Sequence, residues 1–105
     1  MKYRDWQIDG GSLIYSPEEM AERVSDLQSV GFTFVLTSGG YDPVHPGHLS
    51  CIRQSARQGD EPIVVVNDDD FLQRKKGAAF MPHKVRCQIM SMFDYVDYVV
   101  PLKPS

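Results

Sequence analysis

The sequence predicts an α/β domain with a parallel sheet flanked by helices, and three observations carry that prediction. Short runs rich in β-branched and aromatic residues, at 32–37, 62–66 and 96–100, have the composition of strands. Ahead of each lies a segment with apolar residues at helical spacing. Strands joined through helices of about a dozen residues need crossover connections, which are right-handed and make the strands parallel.

Taken in order, residues 1–15 (MKYRDWQIDGGSLIY) show no clean period and contain Gly10-Gly11. They read as an irregular lead-in, with Trp6 and Ile8 as candidates for packing on the body, and the domain proper is 16–105. Ser16 caps the first helix: Pro17 suits the first helical position and Glu19 completes a capping box. Met20, Val24, Leu27 and Val30, with Ala21, form its apolar face, and Gly31 ends it. The strand 32–37 follows and is closed by Ser38-Gly39-Gly40. A helix from Gly47 to about Gln58 offers Leu49, Ile52, Ser55 and Ala56 and stops at Gly59. Pro62-Ile63-Val64-Val65-Val66 is a continuous apolar run of the kind buried on both faces of a parallel sheet. Asn67-Asp68-Asp69-Asp70 starts a short helix or turn that leads into Arg74-Lys75-Lys76-Gly77. Pro82 opens a helix with Val85, Ile89, Met90, Met92 and Phe93 on its apolar face, and the strand 96–100 is stopped by Pro101. The result is a three-layer, Rossmann-like arrangement, in which ligands bind beyond the carboxyl ends of the strands.

A chain of 105 residues with 42% hydrophobic and 24% charged residues is one ordinary globular domain. Its 11 Lys and Arg against 14 Asp and Glu give a net charge of −3, which argues against nucleic acid or an anionic membrane as partner. No apolar run approaches the ~18 residues of a membrane span, and no signal peptide is visible, so a cytoplasmic location is expected. There Cys51 and Cys87 would be free thiols.

The loop after the first strand, Thr37-Ser38-Gly39-Gly40-Tyr41-Asp42-Pro43-Val44-His45-Pro46-Gly47-His48, is the most informative stretch. Two glycines let the backbone approach a ligand closely. The following helix start supplies free amides and a positive dipole end, which suit an anion. His45 and His48 stand three residues apart, where both rings can face one ligand and donate to phosphate oxygens as charge grows on them. Gly47 leaves room between them. A metal reading also exists, since His45, His48 and Cys51 recur every three residues; zinc would need a fourth ligand, for which Cys87 and His83 are the candidates. Neither a G-x-G-x-x-G fingerprint nor a P-loop is present.

G-G-Y-D-P-V-H-P-G-H after a strand resembles the signature of the cytidylyltransferase-like nucleotidyltransferases, whose H-x-G-H motif stands here as His45-Pro46-Gly47-His48. The resemblance runs from about Ser16 to Leu102. It includes V-V-V-N-D-D-D, Lys76-Gly77, F-M-P-x-x-x-R ending at Arg86, and V-D-Y-V-V at 96–100. In detail the chain is most similar to the adenylyltransferases that act on heptose 1-phosphate, with glycerol-3-phosphate cytidylyltransferases as near relatives.

That resemblance implies attack of a phosphate-bearing acceptor on the α-phosphorus of a nucleoside triphosphate, with release of pyrophosphate. It implies ATP in preference to CTP, a sugar phosphate or phospho-alcohol as acceptor, magnesium arriving with the triphosphate, and homodimerisation as a family habit. His45, His48 and Lys76 would be catalytic. Thr37, Ser38, Gly39, Gly40, Tyr41, Gly47 and Arg86 would join them around the nucleotide. Asp42, Asn67 and Asp69 would face the acceptor, Asp42 also being the candidate to touch the metal. Simpler roles stand beside these: an Asx turn for Asp42, a solvated basic run for Lys76, a carboxylate-paired arginine for Arg86, and helix capping for Asp68-Asp69-Asp70.

The family pattern continues past V-D-Y-V-V with a further helix and strand and a Ser/Thr-rich triphosphate-binding motif, which this sequence lacks. The domain therefore reads as truncated at its C-terminus. The competing expectations are a catalytically inactive nucleotide-binding or dimerisation module and, from His45, His48 and Cys51, a small zinc-binding domain.

Overall fold

A computed structural model describes residues 3–103. A single 3-10 turn, Arg4–Trp6, precedes four strands and four helices: β1 Leu13–Ile14, α1 Pro17–Gln28, β2 Phe34–Gly39, α2 Pro46–Ala56, β3 Glu61–Asn67, α3 Asp69–Lys76, α4 His83–Ser91 and β4 Tyr98–Leu102. The sheet order is β1-β4-β3-β2 and every pairing is parallel. Because side chains alternate along a strand, β3 serves both faces at once. Val64 and Val66 pack with Ile52 of α2, Cys87 and Met90 of α4, and Val99. Ile63 and Val65 pack with Met20 of α1, Tyr98 and Val100 on the opposite face. Helices therefore cover both sides, as the alternating pattern predicts.

The segment 1–15, expected to be irregular, contributes the edge strand β1. Leu13 and Ile14 pair with Tyr98 and Val99, and the Tyr15 N–H donates to the Val99 carbonyl at 3.0 Å. Gln7 holds the approach: its Nε2 donates to the Ser12 carbonyl at 2.9 Å and its Oε1 accepts from the Ile14 N–H at 2.9 Å. Two residues are too few to show a period. Trp6 packs on the core beside Tyr3, as expected for it.

Pro101 does not stop β4. It pairs with Val66, and β4 runs on to Leu102. β1 reaches only as far as Val99, so at Pro101 the strand has a neighbour on one side alone, where proline is tolerated.

Ser16 caps α1 as predicted, its Oγ accepting from the Glu19 N–H at 3.1 Å while Glu19 Oε1 accepts from the Ser16 N–H at 3.0 Å. The predicted face of α1 is only partly used: Met20 is buried, but Ala21 and Val30 are exposed. An apolar groove of about 490 Å³ remains between α1 and the sheet, with Leu36 and Leu102 at its margin.

The face of α4 is the larger correction. Val85 and Met92 are exposed, whereas His83, Arg86, Cys87 and Met90 turn inward at helical spacing. Two polar residues thus occupy core positions, and both lie at the carboxyl end of the sheet, where the functional loops gather.

Candidate active site

Gly39, Asn67 and Leu102 end three neighbouring strands, and the loops that follow form one edge. β2 extends two residues beyond the predicted end, which puts Ser38 and Gly39 in the ladder opposite Val65 and Val66. Gly40 is the first residue past it. A side chain there would collide with Leu72 of α3, a Cβ coming within 2.5 Å of Leu72 Cδ2. Tyr41 takes a left-handed conformation, φ +53°, and its buried ring meets His48 edge-on at 5.3 Å. Burial pushes the Tyr41 hydroxyl above its ordinary pKa, against a hydrogen bond with Thr37.

His45 and His48 cap α2 for each other. His45 Nδ1 accepts from the Gly47 N–H at 3.1 Å, and His48 Nδ1 accepts from the His45 N–H at 3.1 Å. The rings lie 3.9 Å apart, centroid to centroid. A nitrogen that accepts carries no proton, so each ring holds its proton on Nε2 and offers Nε2–H as its free donor. Burial, then the charges of His45 and Lys75, push His48 below the usual histidine pKa, which keeps Nδ1 an acceptor. Gly47 is required by this packing: a Cβ there would lie 2.8 Å from His45 Cε1. The space beside Gly47, expected to be open, is taken by the His45 ring.

Asp42 is buried and fully engaged. Its Oδ2 accepts from the Phe80 N–H at 2.6 Å, its Oδ1 from the Met81 N–H at 3.0 Å, and Lys76 Nζ lies 3.1 Å from Oδ2. Burial by itself would raise this carboxyl, but the bonds from Phe80, Lys76 and Met81 prevail and hold it below the ordinary carboxylate range. Lys76 also bonds the Asp42 carbonyl and sits 4.1 Å from the centre of the Phe80 ring. The structure thus uses Asp42 as a latch between the β2 loop and the segment after α3, rather than leaving it open to an acceptor or a metal.

Arg86 is wholly buried, contrary to a phosphate-facing expectation. Its Nε donates to the Met81 carbonyl at 2.9 Å; Nη1 donates to the carbonyls of Gly40 at 2.8 Å and Asn67 at 2.5 Å; Nη2 reaches Asp69 Oδ1 at 2.6 Å. One guanidinium ties together three loops that the topology brings side by side. Asp69 is its carboxylate partner, while Asp68 caps α3 by accepting from the Phe71 N–H at 3.0 Å.

These engagements bear on the metal. Among the described residues no three His, Cys, Asp or Glu side chains are grouped to hold an ion. Cys87 is buried in the core and His83 Nε2 is 2.8 Å from the Val66 carbonyl, so neither completes a zinc set with His45, His48 and Cys51. Asp42 and Asp69 are committed as well, and the residues present do not fit a protein-held magnesium.

Residues 36–105 match the family model described as cytidylyltransferase-like. The chain belongs to the cytidylyltransferase-like family. It is 35% identical over 96 residues to the bifunctional protein HldE of Azorhizobium caulinodans and 33% identical over 97 residues to that of Alkalilimnicola ehrlichii. Each match covers 90% of this chain and 20% of the relative, so the chain spans about a fifth of the length of these curated relatives. The crystal structure of the lipopolysaccharide core biosynthesis protein from Thermoplasma volcanium superposes with a TM-score of 0.67 at 26% identity, over 70% of this chain and 60% of that one. No helix of the described residues is long and apolar enough to cross a membrane.

Proposed function

We propose that the protein transfers a nucleotidyl group, adenylyl by preference, from a nucleoside triphosphate to a small phosphorylated acceptor. The observation that carries this reading is the pair of Nε2–H donors held 3.9 Å apart, ring to ring, at the start of α2. An acceptor phosphate oxygen forms a bond to the α-phosphorus, the bond from that phosphorus to the bridging oxygen breaks, and pyrophosphate departs with the electron pair. The protein's contribution is position and charge. The first amides of α2 are spent, Pro46 having none and those of Gly47 and His48 bonding His45. Two neutral donors at the positive end of the helix therefore meet the phosphate oxygens where negative charge builds. Neither histidine has to ionise to do this.

The family membership supports the reaction class, and the sequence resemblance to heptose 1-phosphate adenylyltransferases supports ATP with a sugar phosphate, in the cytoplasm where both occur. Magnesium enters as a companion of the triphosphate, not as an ion held by this chain's carboxylates. Lys76 would join the leaving pyrophosphate by exchanging its bond to Asp42 for phosphate. Arg86 acts here through the loops it fixes and is a positioning residue.

A second reading, nucleotide binding or pairing without turnover, draws on one observation: Lys76 and Arg86, the cations expected at phosphate, are tied to Asp42 and Asp69. Pyrophosphate release decides between them. ATP with a panel of sugar 1-phosphates and glycerol 3-phosphate should yield pyrophosphate only when an acceptor is present. Saturable ATP binding with no pyrophosphate for any acceptor would establish the second reading.

A further inference from the structure

Phe80 is 74% exposed, so its ring serves no core. It has a partner all the same. Lys76 Nζ lies 4.1 Å from the ring centre, against 5.6 Å for the cations of the Arg53–Tyr95 and Lys75–Phe71 pairs. At that distance the negative face of the ring attracts the ammonium. The backbone, and not Lys76, fixes the ring. Gly77, in a left-handed conformation at φ +89°, turns the chain at the end of α3. Beyond it the Phe80 and Met81 N–H groups donate to the two carboxylate oxygens of Asp42 at 2.6 and 3.0 Å. These bonds keep Phe80 beside Asp42 whether Lys76 stays or moves.

Lys76 is thus held in two different ways. Its hydrogen bonds go to Asp42, to Oδ2 at 3.1 Å and to the main-chain carbonyl. Those bonds are directional, and an N–H spent on Asp42 does not serve a phosphate. The ring makes no such demand: it acts on the charge as a whole and leaves the three N–H groups free to turn. An ammonium over a ring can therefore pivot from one acceptor to another without returning to water. A flexible four-carbon stem needs such a tether, because its freedom is what an untethered lysine gives up on meeting an anion.

Position agrees with this. The Lys76 side chain keeps 30% of its surface exposed, so an incoming anion can reach it, whereas the Asp42 side chain has none. Asp42 stands in the same loop as His45, three residues before it. We propose that Phe80 is a positioning residue for Lys76: its ring holds the ammonium at the phosphate edge while the hydrogen bonds of that ammonium pass from Asp42 to the leaving phosphates. The destination rests on the nucleotidyl-transfer reading; the hold of the ring on the ammonium does not.

Because Phe80 is exposed and bonds Asp42 through its main chain, Phe80→Leu and Phe80→Trp leave those bonds in place and should melt within a few degrees of the parent. Leucine removes the π face, and tryptophan offers a better one. Limited acetylation of the full chain with acetic anhydride, read by peptide mass spectrometry, gives the reactivity of Lys76 relative to the exposed Lys84. Loss of a cation–π contact should raise that ratio about two- to fivefold in Phe80→Leu, and Phe80→Trp should return it to the parent value or below. Calorimetric titration with magnesium pyrophosphate, and with magnesium ATP, should show Kd raised by a similar factor in Phe80→Leu and restored in Phe80→Trp. An unchanged Lys76 ratio in Phe80→Leu, parent-like binding of both ligands by that variant, or a Phe80→Trp chain no better than Phe80→Leu in either measurement would overturn the proposal. A parent that binds neither ligand, with acetylation ratios in the predicted order, would locate the failure elsewhere: the ring holds the ammonium, but the nucleotidyl-transfer reading falls, and the destination of Lys76 with it.

Discussion

Arg86 Nη2 and Asp69 Oδ1 meet at 2.6 Å, the arginine without solvent exposure and the aspartate about half exposed. The asymmetry says which partner the fold depends on. Asp69 can return to water; Arg86 cannot, and three carbonyls rely on it as well.

Replacing Arg86 with alanine should therefore cost about 3–5 kcal/mol, the range for stripping one partner from a buried ionic cluster. In a domain of this size that lowers Tm by roughly 12 °C or more. Asp69→Asn should cost less than Arg86→Ala, because the amide oxygen can still accept from Nη2 and the three carbonyls still hold the guanidinium. Thermal denaturation of both variants checks this. A Tm within a few degrees of the parent for Arg86→Ala would mean that the guanidinium is free for other work.

Asp42 carries a similar prediction with a pH signature. Asp42→Ala leaves the Phe80 and Met81 N–H groups without their acceptor and should destabilise by about 1–3 kcal/mol at neutral pH. The folded pKa lies below the unfolded value, so this contribution is present above about pH 4 and fades as pH falls through the folded pKa. Denaturant melts of parent and variant should accordingly converge as pH falls below about 4. A constant gap across that range would contradict the latch.

Glu61 works in the opposite direction. A hydrogen bond with Asp97, then burial and the Asp97 charge, raise its carboxyl to about 7 from 4.5. A raised folded pKa favours the protonated form, so its contribution is full below pH 4.5 and is lost as pH climbs toward 7. Glu61→Gln should therefore be more stable than the parent at pH 8.5, with the advantage shrinking toward pH 5. Tm measured against pH for both chains tests it; parallel curves would remove the shared proton.

The sequence exposed the fold through β3 and the alternation of strands with helices, because a continuous valine run and a complete capping box at Ser16 are local signals. It exposed the histidine pair for the same reason, since H-x-G-H lies within one turn of helix. What stayed hidden depends on partners far along the chain. β1 is two residues long and exists only because β4 accepts it. Arg86 and His83 look like surface residues at the start of a helix until Gly40, Asn67 and Val66 are brought beside them. The spacing of His83, Arg86, Cys87 and Met90 was the available sign, but a face that mixes charge with sulfur gives no hydrophobic pattern. Asp42 and Lys76, 34 residues apart, needed the tertiary structure to show that they satisfy each other.

The histidine pair should separate chemistry from stability. His45→Ala and His48→Ala each remove one cap bond, worth about 1 kcal/mol. On the proposed function each also removes a transition-state donor, worth a further 3–4 kcal/mol or about 10²–10³ in kcat. Pyrophosphate release should fall by that factor while the variants remain folded at 25 °C. A fall of only a fewfold would show that these rings cap the helix and do nothing more.

The most direct test of the account is nucleotide-induced thermal stabilisation in the parent and in the His45→Ala, His48→Ala double variant. ATP, CTP, GTP and UTP would be compared, each with magnesium. At about 100 times Kd a ligand adds roughly 2.7 kcal/mol, which at about 4–8 °C per kcal/mol raises Tm by some 10–20 °C. The account predicts such a rise for ATP above the other three in the parent, and its loss in the double variant. An equal rise in both proteins, or none with any nucleotide, would contradict the claim that the paired imidazoles at the start of α2 are a triphosphate site.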